Sequence, residues 1–171
     1  LFLLLEDLST RGFDTLLYTT TWEDIRTVLT WLANFHGSFI NHSTDGLWDI
    51  GTYWHLDTRP EELHNITGTK LHRFASFLDG KLNNTKFQTI VHGDAKLANF
   101  CFSKDRKNVA AVDFQYVGKG CGMKDVAYFI GSCLNENNSK HLEENILNHY
   151  FSTLKEVLSK TDIDTEALEQ E

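Results

Sequence analysis

The sequence predicts an α+β fold, mainly helical with a small β-hairpin, and three observations carry that prediction. Ile25, Val28, Leu29, Leu32, Phe35 and Phe39 recur at helical spacing, as do Leu142, Ile146, Tyr150, Leu154 and Leu158 near the other end. Between these amphipathic segments the apolar runs shorten to the strand-like stretches 89–92, 99–102 and 109–113. The last two are separated by the polar run 103–108, which has the length and composition of a hairpin turn.

In chain order, residues 1–5 read as a buried strand that ends at Glu6 and Asp7, with Gly12 in the following turn. Thr20 and Thr21, followed by Glu23 and Asp24, have the pattern of a capping box, which predicts a helix over residues 22–40. Residues 41–58 hold Gly46, Gly51 and several aromatics and read as loop or short helix. Pro60 suits a first helical turn, and Leu63, Ile66, Leu71, Phe74 and Leu78 continue a second helix weakened at Gly68. After the strands, residues 125–134 and 141–158 return to helix, and the acidic stretch 161–171 reads as a fraying tail. There is no internal repeat.

A chain of 171 residues can bury one real core. Its net charge of −8 repels phosphate backbones, so nucleic acid is not an expected partner. Cys101, Cys121 and Cys133 are odd in number and lack a Cys-x-x-Cys pair, which predicts reduced thiols and a cytoplasmic setting. No apolar run reaches the length of a membrane span, and residues 1–5 lack the flanks of a signal peptide. His36, His42, His55, His64 and His72 show no metal-ligand spacing, so zinc is not expected. No obligate protein partner is evident. The chain opens on Leu inside an apparent strand, which reads as a fragment whose upstream part is missing.

Two stretches carry chemistry: residues 92–99, reading His-Gly-Asp-Ala-Lys-Leu-Ala-Asn, and residues 112–115, reading Val-Asp-Phe-Gln. Phosphoryl transfer demands mainly positioning and charge neutralisation. Asp94, in a loop after a buried strand, is placed to accept the proton of an attacking hydroxyl. Asn99 offers a neutral oxygen to a hard cation and Asp113 an anionic one, enough for magnesium, which takes its other oxygens from phosphates and water. Lys96 can neutralise charge on the transferred phosphate. Either stretch alone is a weak signal. Together, joined by a hairpin that brings Asn99 towards Asp113, they point to a metal–nucleotide site.

His-Gly-Asp-x-x-x-x-Asn followed by apolar-Asp-Phe resembles the aminoglycoside phosphotransferase and choline kinase group of the protein-kinase-like superfamily. Residues 47–54, Leu-Trp-Asp-Ile-Gly-Thr-Tyr-Trp, are most similar to its ecdysteroid-kinase-like branch. The resemblance runs roughly from residue 3 to residue 134. It implies a kinase-like C-terminal lobe over residues 1–160 with the N-terminal lobe absent, ATP and Mg2+ as cofactors, and a small-molecule acceptor with a hydroxyl group. It implies Asp94 as base, Asn99 and Asp113 as magnesium ligands, and His92 as a brace of the loop. Leu5, Glu6, Asp7 and Leu8 resemble the hinge that meets the adenine, and residues 32–36, Leu-Ala-Asn-Phe-His, the end of the family's long helix. Asp125, in Asp-Val-Ala, matches an aspartate that anchors the catalytic loop through backbone hydrogen bonds.

The chain departs from the pattern in three places. Many members carry His or an aromatic where Lys96 stands, and Gln115 replaces the Gly of Asp-Phe-Gly. The Gly-rich loop and strand lysine that cover the phosphates belong upstream of the hinge. The glycines of residues 118–122 lack a nucleotide-loop register and read as a flexible linker after the metal site, with the wall of the substrate pocket as the alternative. Trp48, Tyr53 and Trp54 either line an acceptor pocket or pack between helices. The functional alternatives are a non-catalytic pseudokinase or binding fragment, and a metal-dependent phosphohydrolase using Asp94 and Asp113.

Overall fold

The structure, a computed structural model, describes residues 2, 4–159, 161, 163 and 165. It is mixed α+β, rich in helix, with two small antiparallel sheets. The core forms where α1 (Trp22–Phe39) packs along α5 (Glu136–Leu158), joining Ile25, Val28, Leu29, Leu32 and Ala33 to Ile146, Tyr150, Leu154 and Leu158. Each set lies on one helical stripe, as the spacing predicted. The capping box at the start of α1 is present: Thr21 Oγ1 accepts from the Asp24 amide at 3.3 Å, and Asp24 Oδ2 accepts from the Thr21 amide at 2.8 Å.

Gly37 shows how closely the two long helices approach. A Cβ there would lie 2.7 Å from Val157 Cγ1 and 3.1 Å from Leu154 Cδ1. Gly37→Ala is therefore expected to lower stability by about 1 kcal/mol, because overpacking of ~1–3 kcal/mol outweighs the gain of ~1 kcal/mol in helix propensity. Urea unfolding measures it, and a rise in midpoint would mean the helices have room to part.

The predicted second helix is two. α2 (Pro60–Asn65) stops, Gly68 takes φ +86°, and α3 (Lys70–Asn83) restarts with Thr69 as cap, accepting from the His72 amide. The left-handed φ at Gly68 reverses the chain, which a helix cannot absorb. The last helix begins at Glu136 rather than 141, because Asn135 caps it by accepting from the Asn138 amide.

β3 (Phe100–Ser103) and β4 (Val109–Ala111) form the predicted hairpin, with Phe100 opposite Ala111 and Phe102 opposite Val109. β1 (Phe13–Thr15) adds to the other edge of β3. Three residues with one apolar side chain give too little alternation to announce a strand. The buried strand expected over residues 1–5 does not form among the described residues: Phe2, Leu4 and Leu5 are exposed, with no strand alongside them. Leu1 and Leu3 lie outside the described residues, as does most of the acidic stretch 161–171.

The second sheet corrects another expectation. Gly118, Lys119 and Gly120 are not a flexible linker but β5 (Gly118–Gly120), paired antiparallel with β2 (Thr89–Val91). The glycines are there for close approach: a Cβ on Gly118 would lie 2.8 Å from Trp48 Cβ, and one on Gly51 would lie 2.6 Å from the Gly118 carbonyl carbon. The 48–51 segment is thereby laid on β5, with the Gly51 amide donating to the Lys119 carbonyl at 2.7 Å. β5 then leads into α4 (Met123–Cys133). No helix among the described residues is long and apolar enough to cross a membrane.

Candidate active site

The 92–99 loop leaves the end of β2 and is held from behind by one side chain. Asp125, in the first turn of α4 and 1% exposed, accepts from the His92 amide through Oδ2 at 2.6 Å and from the Gly93 amide through Oδ1 at 3.0 Å. Buried amides outside a ladder need such partners, and a carboxylate supplies strong ones. Gly93 has φ +82°, and a Cβ there would collide with the Tyr116 carbonyl, so the turn admits only glycine.

His92 is fully buried with both ring nitrogens on backbone partners. Nε2 meets the Val112 carbonyl at 2.9 Å and so carries the proton; Nδ1 accepts from the Asp94 amide at 3.2 Å. Phe114 packs on the ring at 4.4 Å between centroids, with Phe100 and Trp31 farther out. The ring ties the 92–99 loop to the strand that leads to Asp113.

Asp94 is 1% exposed, and its two oxygens differ. Oδ2 accepts from Lys96 Nζ at 2.8 Å and from Asn99 Nδ2 at 3.0 Å. Oδ1 is buried with no hydrogen-bond partner. Tyr128 of α4 stands near the same carboxylate; burial first, then the Asp94 charge, pushes its phenol above the usual range. The bond to Asp94 is the main cause that holds the Lys96 ammonium above its ordinary value, and its side chain is 40% exposed.

Asn99 ends the short 3-10 turn Leu97–Asn99. Its amide nitrogen donates to Asp94 O at 2.8 Å as well as to Oδ2, which fixes the amide so that Oδ1 is the oxygen without a donor of its own. The Val112 amide donates to the Asn99 carbonyl at 3.0 Å, so the hairpin sets Asp113 beside Asn99, as the spacing predicted. Asp113 is exposed and takes φ +66°, a left-handed conformation unusual for a residue other than glycine and a recognised mark of functional positions. Among the described residues no cluster of three His, Cys, Asp or Glu side chains could hold a metal ion. One amide and one carboxylate oxygen, from Asn99 and Asp113, would be too few for an all-protein cage.

An apolar cavity of about 490 Å³ opens between the 52–56 segment, α3 and α4, with Tyr128 in its wall. Tyr53, Trp54, Leu71 and Leu78 line it. Of the three aromatics singled out in the sequence, Tyr53 and Trp54 face this cavity. Trp48 instead donates Nε1–H to the Gln115 carbonyl at 2.8 Å, bracing the segment after Asp113. Arg59 already covers the Tyr53 ring at 4.7 Å, and Lys124 contributes to the cavity wall.

The proposed hinge residues stand apart from this cluster. Leu5 is exposed, Glu6 pairs with Arg11 at 2.7 Å, and Asp7 accepts from Ser9 to cap the 3-10 turn that begins at Leu8. That turn leads into β1 and so onto the β3–β4 hairpin. All three cysteines are free, and burial pushes the Cys133 thiol up to about 11, away from nucleophilic use.

Sequence reasoning missed Tyr128 and Ser132. Ser132 Oγ accepts from the Leu97 amide at 2.8 Å, fixing the far end of the loop. Asp125, Tyr128 and Ser132 step by three and four along α4, so a search of the helix face that carries Asp125 would have found both.

No curated protein matches the chain. A model of the ecdysteroid kinase-like family matches residues 49–163, more than half the chain and all of the cluster around Asp94. On that match the chain belongs to the ecdysteroid kinase-like family.

Proposed function

We propose that this chain is the C-terminal lobe of an ATP-dependent phosphotransferase acting on a hydroxyl of a small molecule. Family membership supports kinase-like chemistry. The observation that carries the finer reading is Asp94 Oδ1, a buried carboxylate oxygen with no donor, close to Tyr128 in the wall of an open apolar cavity. An acceptor hydroxyl entering from the cavity would satisfy that oxygen and give up its proton to it. Lys96 and Asn99 hold the opposite oxygen, so the carboxylate cannot swing away.

Asn99 Oδ1 and Asp113 would hold magnesium, which when bound neutralises charge on the β- and γ-phosphates. Lys96 is 40% exposed beside Asp94 and can meet the transferring phosphate. Leu5, Glu6, Asp7 and Leu8 would meet the adenine through their backbone; their continuity with β1 and the metal-bearing hairpin supports this. The cavity wall carries both Lys124 and Asp79 among apolar side chains, so its charge does not choose between uncharged, choline-like and aminoglycoside alcohols.

Acceptor-dependent ADP release, measured over a panel of steroidal, cationic and aminoglycoside alcohols in the full-length protein, tests the reading. Phosphate release without acceptor would favour a hydrolase, and magnesium–nucleotide binding without turnover a non-catalytic module. Asp113→Ala is expected to weaken nucleotide binding by about tenfold or more in the presence of magnesium and little in its absence. Calorimetric titration in both conditions measures this, and an equal loss in both would remove Asp113 from the metal site.

A further inference from the structure

We propose that Tyr150 and His36 are positioning residues for the Asp94 loop, acting through Asp125 by a buried, one-way chain of hydrogen bonds that starts on α5. Tyr150 Oη lies 2.8 Å from His36 Nδ1, and His36 Nε2 lies 3.1 Å from Asp125 Oδ2. All three side chains are at most 2% exposed. The same Oδ2 receives the His92 amide at 2.6 Å. The chain therefore runs from α5 through α1 and α4 to the backbone one residue before Gly93 and two before Asp94.

Its direction follows from what each atom can do. An Asp125 carboxylate only accepts, so His36 Nε2 carries the proton it donates. His36 Nδ1 then presents a lone pair, and Tyr150 donates its hydroxyl proton to it. Burial pushes the Tyr150 phenol far above its usual range, which keeps that proton in place. A proton on Nδ1 instead would face the tyrosine oxygen and leave a buried hydroxyl without an acceptor. Each donor thus fixes the next acceptor, and the last acceptor fixes the loop.

A second observation points to the same pair. Gly122, the cap of α4, has an ordinary helical φ of −56°, so its backbone does not require glycine. A Cβ there would lie 2.6 Å from Tyr150 Oη and 2.7 Å from His36 Nδ1. The missing side chain leaves room for this one hydrogen bond.

The kinetic part of the test rests on the proposed phosphotransfer; the spectroscopic part does not. Tyr150→Phe removes only the hydroxyl. It is expected to move the His92 and Gly93 amide resonances in 15N–1H spectra, although Tyr150 touches neither residue. The imidazole 15N shifts are expected to show the Nε2–H tautomer of His36 in the parent. In turnover, Tyr150→Phe should lower kcat roughly 3- to 10-fold and His36→Leu roughly 10- to 100-fold, with the KM for ATP unchanged. His36→Gln, which keeps a donor towards Asp125, should recover most of that loss. Gly122→Ala should reproduce the Tyr150→Phe spectrum by pushing the pair apart. A His36 proton on Nδ1, or His92 and Gly93 amides that do not move in Tyr150→Phe, would overturn the proposal. Moved amides in a protein that transfers no phosphate would leave the chain of bonds standing and sink the phosphotransfer reading instead.

Discussion

Replacing Asp94 with Asn is expected to cut phosphate transfer by about 10²–10⁴-fold while leaving magnesium–nucleotide binding nearly intact. The substitution keeps the shape of the side chain. The buried Oδ1 that lacks a partner is either retained as a much weaker base or replaced by an amide nitrogen that cannot take a proton. The proposed metal ligands Asn99 and Asp113 are untouched. Asn99 Nδ2 also donates to the Asp94 main-chain carbonyl at 2.8 Å, so its orientation survives loss of the side-chain bond. The loop survives too, because Asp125 and His92 hold it through the backbone. Steady-state kinetics with a responsive acceptor, paired with nucleotide titration, separates the two effects. Turnover within threefold of the parent would remove Asp94 as the base. Loss of nucleotide binding in step with turnover would make it a loop-shaping residue.

The parts legible in the sequence were those with a periodic or spaced signature. The apolar stripes of the two long helices, the capping box at Thr21 and Asp24, and the hairpin between Asn99 and Asp113 each repeat a local rule, and each formed. What was not legible depends on partners distant in sequence. Gly118 and Gly120 look like a linker because nothing local reveals that Gly51 and Trp48 press onto them. Residues 1–5 look buried because apolarity alone cannot say whether a strand lies alongside; Phe2, Leu4 and Leu5 are exposed. In the candidate site, residue types and spacing pointed to Asp94, Lys96, Asn99 and Asp113. That only one oxygen of Asp94 lacks a hydrogen-bond partner, and that Tyr128 stands near that carboxylate and also lines the cavity, came from the fold.

Asp125→Ala should have the largest effect on stability of any single change in this region. It leaves three buried donors without an acceptor at once: the His92 amide, the Gly93 amide and His36 Nε2–H. An unpartnered buried donor costs about 1–3 kcal/mol, and breaking a buried charged partnership about 3–5 kcal/mol. The donors share one site and can relax together, so the lower total is expected: about 3–5 kcal/mol, a large part of the 5–15 kcal/mol that stabilises a domain. Asp125→Asn should cost less, because its single oxygen can keep one of the two amides while its NH2 group faces the other. Two measurements check the order: the urea midpoints of the two variants, and amide exchange at His92 and Gly93. Exchange should rise at those two positions before the amides of the α1–α5 core, since Asp125 anchors the loop while the helices pack through their own apolar stripes. If both variants unfolded at the parent's midpoint with those amides still protected, the loop would have to be held by its other bonds, from His92 to Val112 and from Leu97 to Ser132. Those bonds fix its far side, and at the turn itself only the Tyr53 amide, donating to the Gly93 carbonyl, would remain to hold the chain where it bends towards Asp94.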